Sequence, residues 1–285
     1  MNILWIERPE YFTSQRARDA AVELGINVHV YGHVDMVYST TGGLHSNTGV
    51  NLLELCDAVV IRNIASHVSE ALTIARLFAD AGKPVFDPVL VQEGYAISKM
   101  HDYLLMTKAG LPVPRTVQTF TLPTDWAFPY ILKGVHGAQG KHVHLAHNQA
   151  EAEAIWAQYP PGALMLQEFL EARSDYRILV CMGKALPYVV EKIPLAGDFR
   201  TNFAISETVI GHPAANFPDF IRLAEESARL LKRNFTGVDI RTHNGQPYIL
   251  EVNRSPGFKG FEQATGYHVA KHYLQELLVC LGKAA

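Results

Sequence analysis

A strand–helix–strand unit followed by a second of the same kind occupies the first third of this chain. No other feature constrains the fold more. Residues 2–6 (Asn-Ile-Leu-Trp-Ile) form a short apolar run. Residues 14–24 have helical spacing, with Ala17, Ala20, Ala21 and Leu24 on one side and Gly25 closing the segment. Residues 26–31 are β-rich. A strand at 58–61, a helix at 69–81 capped by Gly82 and a strand at 84–86 follow. Such alternation builds a parallel sheet covered on both faces. The turn after the first strand lacks Gly-x-Gly-x-x-Gly, which argues against a dinucleotide site of the Rossmann kind.

A boundary falls near residues 87–94. A helix at 98–109 comes next, ended by Gly110 and stopped by Pro112 and Pro114. The remainder reads as strands at 130–133 and 142–145 around a glycine loop, and a helix at 149–158. From 164 onward there are several strands, an amphipathic helix at 217–231, a hairpin over 237–253 and a last helix at 269–281. At 285 residues the chain suits two domains or one divided domain.

Composition narrows the function. Lys plus Arg number 25 against 28 Asp plus Glu, a net charge of −3. That is no electrostatic case for nucleic acid or a membrane surface. The cysteines Cys56, Cys181 and Cys280 stand far apart and form no Cys-x-x-Cys pair, which fits a reducing cytosol. The N-terminus meets Glu7 and Pro9 too soon for a signal peptide, and no apolar run approaches the roughly 18 residues of a membrane span. A cytoplasmic protein is expected.

Five segments carry chemistry-bearing residues: 129–141, 166–170 with Asp175-Tyr176-Arg177, 197–203, 237–241 and 250–258. In the first, Gly134, Gly137 and Gly140 let main-chain amides approach a phosphate, and Lys133 and Lys141 flank them. It is not a Walker loop, because Gln139 stands where that motif needs Gly and His142 where Ser or Thr should bind metal. A hairpin covering phosphates is one reading and an ordinary glycine turn the other.

Asp239, Glu251 and Asn253 are oxygen ligands of the kind Mg²⁺ takes when it carries nucleotide phosphates. Glu251 and Asn253 lie two apart on a strand, so they share a face about 7 Å apart. Asp239 lies on the preceding strand, across a turn with Asn244-Gly245. A two-residue loop would oppose Asp239 to Leu250 and point it the wrong way. A three-residue loop, His243-Asn244-Gly245, is therefore expected, since it places Asp239 on the Glu251 face. A plain surface carboxylate is the alternative, but unpaired buried charge in an otherwise apolar strand is costly.

In this order and spacing the five segments resemble the ATP-grasp superfamily, above all its RimK-like branch of carboxylate–amine (glutamate) ligases. The resemblance runs from about residue 98 onward. It is strongest over 237–266, with Glu-Val-Asn-x-Ser-Pro-Gly-Phe and the later Thr265-Gly266. It implies an α/β and α+β fold in three parts. These are a parallel-sheet N-terminal domain (1–93), a central lobe with the glycine loop (94–163) and a C-terminal lobe with the metal site (164–285).

The resemblance also implies a site. Lys99 and Lys133 contact ATP phosphates, and Gly137, Gln139, Gly140 and Lys141 belong to the covering loop. Gln167, Glu168, Phe169 and Leu170 form the adenine hinge, and Asp175 lies near the ribose. Asp239, Glu251 and Asn253 hold two Mg²⁺, replaceable by Mn²⁺. Arg177, Arg200 and Asn202 hold the reacting carboxylate and its phosphorylated form. RimK-like chains continue after that Arg-x-Asn with Arg-Gly-Gly. Here Phe203-Ala204-Ile205-Ser206 follows, and Arg254 is expected to supply the missing charge.

The implied reaction converts a carboxylate of an amino acid or peptide into an acyl phosphate that an amine, glutamate for instance, then attacks. For an acidic amine the basic candidates are Lys192, Arg200, Arg254 and Lys259. A precursor-peptide ligase, a phosphotransferase and an idle ATP-binding sensor or accessory protein are the rivals. A homo-oligomer fits the family. Outside the five segments, His142, His144 and His147 read as strand and loop residues, His268 and His272 as a helix face, and Cys56 as core. Tyr11, Tyr31, Tyr38, His33 and His45 are either cleft or surface.

Overall fold

The computed structural model describes residues 1–41, 43–64, 67–92, 98–135, 142–195, 198–200 and 206–283. The N-terminal part contains β1 (Asn2–Ile6), α1 (Phe12–Glu23), β2 (Asn27–Tyr31), a hairpin of β3 (Met36–Ser39) and β4 (Gly43–Ser46), the one-turn α2 (Leu52–Leu55), β5 (Ala58–Ile61), α3 (Val68–Asp80) and β6 (Val85–Phe86). Its sheet runs β2-β1-β5-β6, all parallel, as the alternation predicts. Ile3, Trp5 and Val60 pack against Ala17, Ala20 and Ala21 of α1, while Leu4, Ile6, Val59 and Ile61 pack against Ala71, Ile74, Ala75 and Phe78 of α3. Both faces are buried, which is why β1 and β5 read as unbroken apolar runs. The β3–β4 hairpin was not expected. Cys56 is buried core, as expected.

The central part holds α4 (Lys99–Lys108), β7 (Thr116–Gln118), β8 (Tyr130–Gly134), β9 (Val143–Ala146), α5 (Gln149–Trp156) and β10 (Leu164–Glu168). The Ser98 side chain caps α4 by accepting from the His101 amide. The sheet is antiparallel, β7-β10-β8-β9. It therefore takes in residues 164–168, beyond the expected boundary after 163. Tyr130, Leu132, Leu164 and Leu166 pack against Ala152 of α5 on one face. The alternate residues Lys133 and Gln167 point to the other.

The remaining elements are β11 (Asp175–Cys181), β12 (Lys184–Pro194), β13 (Ser206–Pro213), α6 (Pro218–Leu230), β14 (Phe235–His243), β15 (Gln246–Asn253), α7 (Lys259–Thr265) and α8 (Val269–Cys280). Five strands pair antiparallel in the order β13-β12-β11-β14-β15. Leu223, Ala224 and Ala228 of α6 bury one face over Ile178, Val189, Val238 and Ile240. On the opposite face Leu179, Cys181 and Phe235 join α8 and the N-terminal sheet in one core. Farther along that same face the residues turn from apolar to charged. No helix among the described residues is long and apolar enough to cross a membrane.

Candidate active site

Strand register brings the expected metal ligands together by a route other than the one expected. The β14–β15 connection is a two-residue turn, with His243 opposite Gln246. Asn244 and Gly245 both take left-handed backbone, φ 50° and 76°, as such tight hairpin turns require. Continued regularly, this register would oppose Asp239 to Leu250. Instead Ile240 pairs with Ile249 and Asp239 with Glu251, leaving Leu250 as the extra residue of a β-bulge. The expected three-residue loop is thus corrected: the parity change occurs inside the strand, one residue before the ligand.

Around Asp239 the charged residues form an alternating lattice. Arg177 of β11 lies opposite Asp239, and Asp175 lies opposite both Arg241 and Lys192. Arg177 donates through Nε and Nη2 to the two Asp239 oxygens at 2.8 and 2.5 Å. Lys192 Nζ donates to Asp239 Oδ1 at 2.9 Å. Arg241 grips Asp175 at 2.6 and 3.0 Å and donates to the Leu170 carbonyl at 2.9 Å. Burial alone would raise the Asp239 carboxyl, but Arg177 and Lys192 outweigh it and hold it well below the usual carboxylate range. Lys192, only 2% exposed, was a candidate for an acidic substrate. The structure commits its ammonium to Asp239.

Glu251 is the open carboxylate of the set. Its Oε1 lies 3.1 Å from Lys99 Nζ at the start of α4. The Asn253 amide nitrogen donates to Asp239 Oδ2 at 3.2 Å, leaving its amide oxygen for a cation. Among the described residues no three His, Cys, Asp or Glu side chains form a closed cluster. Glu251 and the Asn253 amide oxygen, joined by Asp239 if one of its four donors is exchanged for a cation, make the partial, all-oxygen set that suits Mg²⁺, whose remaining positions go to phosphate and water.

Lys133 faces this set from the central sheet. Its Nζ donates to the Tyr103 hydroxyl at 2.5 Å and to Gln167 Oε1 at 2.9 Å. Gln167 Nε2 in turn donates to Thr116 Oγ1 at 2.8 Å. Burial pushes the Lys133 ammonium down to about 8, against the pull of Glu251. Glu168 is exposed and exchanges hydrogen bonds with the Arg115 backbone. Phe169 meets Phe199 edge to face at 6.1 Å, and Leu170 is buried.

Other expected residues have partners outside this cluster. Arg200 holds Asp198 through Nε and Nη2 at 3.0 and 2.8 Å. Both line an open cleft of about 580 Å³ with Val143, His144, Leu145, Ile155, Leu195 and Phe199. Arg254 was expected to supply the charge missing after Asn202, and residues 201–205 lie outside the described residues. The Arg254 Nη1 donates to Asp87 Oδ2, 2.8 Å away in the N-terminal part. Gly137, Gln139, Gly140, Lys141 and Asn202 lie outside the described residues. His142 Nδ1 and His144 Nε2 share the Tyr159 hydroxyl, 3.1 and 2.8 Å away. Lys259 is exposed, its ammonium 5.9 Å from the Phe12 ring centroid.

Sequence reasoning missed the groups that hold the segment after Asn253. Arg62 donates to Glu7 at 3.1 Å and to the Pro256 carbonyl at 2.8 Å. The Asn63 amide donates to Ser255 Oγ at 3.2 Å. Thr13, Ser14 and Trp5 donate the other hydrogen bonds to Glu7. A signal was present. Ile6 pairs with Ile61, and each of these apolar strands ends on a charge, Glu7 and Arg62, of opposite sign at the same level.

A family model described as the RimK-like ATP-grasp domain matches residues 105–277. The chain belongs to this family. Over 288 aligned residues this RimK-like chain is 29% identical to a "Probable alpha-L-glutamate ligase" of Marinomonas sp. (strain MWYL1), covering 94% of this chain and 92% of the relative. Two solved structures share its fold. The RimK domain ATP-grasp protein of Sphaerobacter thermophilus superposes with TM-score 0.70 at 18% identity, over 98% of this chain and 100% of that one. The ATP-grasp ligase PsnB, complexed with a minimal precursor, Mg and ADP, gives TM-score 0.70 at 17% identity, over 98% and 97%. The RimK-like fold and the enzyme class expected from the motifs, a carboxylate–amine ligase, stand together.

Proposed function

We propose that this chain uses ATP and Mg²⁺ to join a carboxylate to the amine of glutamate through an acyl phosphate, releasing ADP and phosphate. Membership of the RimK-like family and the near full-length likeness to a relative bearing the glutamate-ligase name support the class and the amine. One observation carries the site. The Leu250 bulge aligns Asp239 with Glu251 beside Arg177, with the Lys133 ammonium facing them.

In this reading Asp239, Glu251 and Asn253 hold two Mg²⁺, or Mn²⁺ in their place. Bound metal supplies charge neutralisation and alignment of the phosphates. Lys99 and Lys133 take phosphate oxygens, Lys99 exchanging Glu251 for them. Gly137, Gln139, Gly140 and Lys141 cover the phosphates. Gln167, Glu168, Phe169 and Leu170 line the adenine side, with Asp175 by the ribose. Arg177 orients the carboxylate beside the metal set, and Arg200 and Asn202 hold it from the cleft side. Arg254 acts through Asp87, as a tie to the N-terminal part. We read the chain in three parts with the second boundary past Glu168, because β10 pairs within the central sheet.

The test is ADP release with Mg²⁺ across amino acids and short peptides, each with glutamate, products read by mass. A product of acceptor plus glutamate less one water, abolished in Glu251→Gln, is the expected result. ADP with no condensed product would favour a phosphotransferase. Condensation within a single longer peptide would favour precursor modification.

A further inference from the structure

α4 presents Lys99, Asp102 and Tyr103 on one helical face, spaced i, i+3, i+4. That face meets three consecutive residues of β15, the edge strand of its sheet. Lys99 pairs with Glu251. Asp102 pairs at 2.6 Å with Arg233, which donates to the Val252 carbonyl. The Tyr103 hydroxyl donates to the carbonyl of Leu250, the bulged residue, and accepts from Lys133 Nζ. A hydroxyl has one proton, and the ammonium can only donate, so the order Lys133 to Tyr103 to Leu250 is fixed. Tyr103 is 3% exposed, so water does not replace either bond.

We infer that Tyr103 is a positioning residue that couples the phosphate-facing lysine to the metal-facing strand. This rests on the site reading above. The bulge decides whether Glu251 opposes Asp239, and its carbonyl is anchored by the same hydroxyl that orients Lys133. Two of the three Lys133 protons go to Tyr103 and Gln167, which aims the third into the site. Removing the hydroxyl leaves a partly buried carbonyl at the bulge without its donor and releases the lysine to a second geometry. Nucleotide and Mg²⁺ binding are then no longer prepared together, and the affinity each lends the other falls.

The experiment measures ADP affinity by calorimetry with and without saturating Mg²⁺ in wild type, Tyr103→Phe and Tyr130→Phe. Tyr130 is the control, since its buried hydroxyl has no hydrogen-bond partner among the described residues. Tyr103→Phe should lose several-fold in Mg²⁺-free affinity. Its Mg²⁺ enhancement should fall about tenfold, or ~1.4 kcal/mol, while Tyr130→Phe keeps both. The loss should shrink in a Lys133→Met background, because the two changes break one unit. A wild-type enhancement in Tyr103→Phe overturns the inference, even if its melting temperature drops. Wild-type protein whose ADP affinity ignores Mg²⁺ overturns the site reading and this inference with it.

Discussion

Changing Asp239 and Glu251 to their amides should separate two roles that one cross-strand pair combines. Asp239 is 7% exposed and neutralises both Arg177 and Lys192. Asp239→Asn removes the carboxylate that both buried cations share. Breaking a buried ion network in this way costs ~3–5 kcal/mol. At ~2–4 °C per kcal/mol for a chain of this size, the melting temperature should fall by on the order of 10 °C. Glu251 differs, because its side chain is 32% exposed and its Lys99 partner 24%. Such a partly solvated pair is worth only ~0–1 kcal/mol. Glu251→Gln should therefore melt within about 3 °C of wild type and yet lose the Mg²⁺ enhancement of ADP binding. Thermal unfolding by circular dichroism, without nucleotide, reads the first effect and calorimetry the second. Equal destabilisation by the two amides, or a wild-type melting temperature for Asp239→Asn, would refute the assignment of the structural charge to Asp239.

Three further outcomes follow from the same geometry. Lys133 has its ammonium pushed down to about 8, so it is charged below that pH and loses charge above it. Mg²⁺-free ADP affinity should then fall as pH rises from 7 to 9, and Lys133→Arg should flatten the profile. Arg62→Met strands the Glu7 carboxylate and frees Pro256. It should lower the urea midpoint by the equivalent of ~3–5 kcal/mol, with Glu7→Leu/Arg62→Met recovering part of the loss. Gly211→Ala would place a Cβ 2.7 Å from the Ala264 carbonyl oxygen of α7. Backbone cannot yield there as a side chain would, so a loss of ~1–3 kcal/mol in thermal unfolding is expected.

The parallel sheet was legible because residues buried on both faces leave unbroken apolar strands, as in 2–6 and 58–61. The helices were legible from their periodicity and their closing glycines. The hairpin shows where such reading stops. Asn244-Gly245 announces the turn, but the bulge at Leu250 has no local marker, and the group its carbonyl meets, Tyr103 of α4, is distant in sequence. The same holds for Arg254 and Lys192. Both were candidates for substrate, and each also pairs with a carboxylate distant in sequence, Asp87 for Arg254 and Asp239 for Lys192. In the β3–β4 hairpin, β3 carries exposed Val37 and Tyr38, so that strand lacks the alternation that marks a half-buried strand. The glycine loop and the Arg-x-Asn segment were legible as motifs, and residues 136–141 and 201–205 of them lie outside the described residues.

The most direct test of the site is a crystal of the protein with Mn²⁺ and ADP, measured at the manganese absorption edge. The account predicts anomalous density at coordination distance from Glu251, Asn253 and Asp239, with Lys99 moved from Glu251 to a phosphate oxygen. Manganese bound elsewhere, with Glu251 still on Lys99, would contradict it.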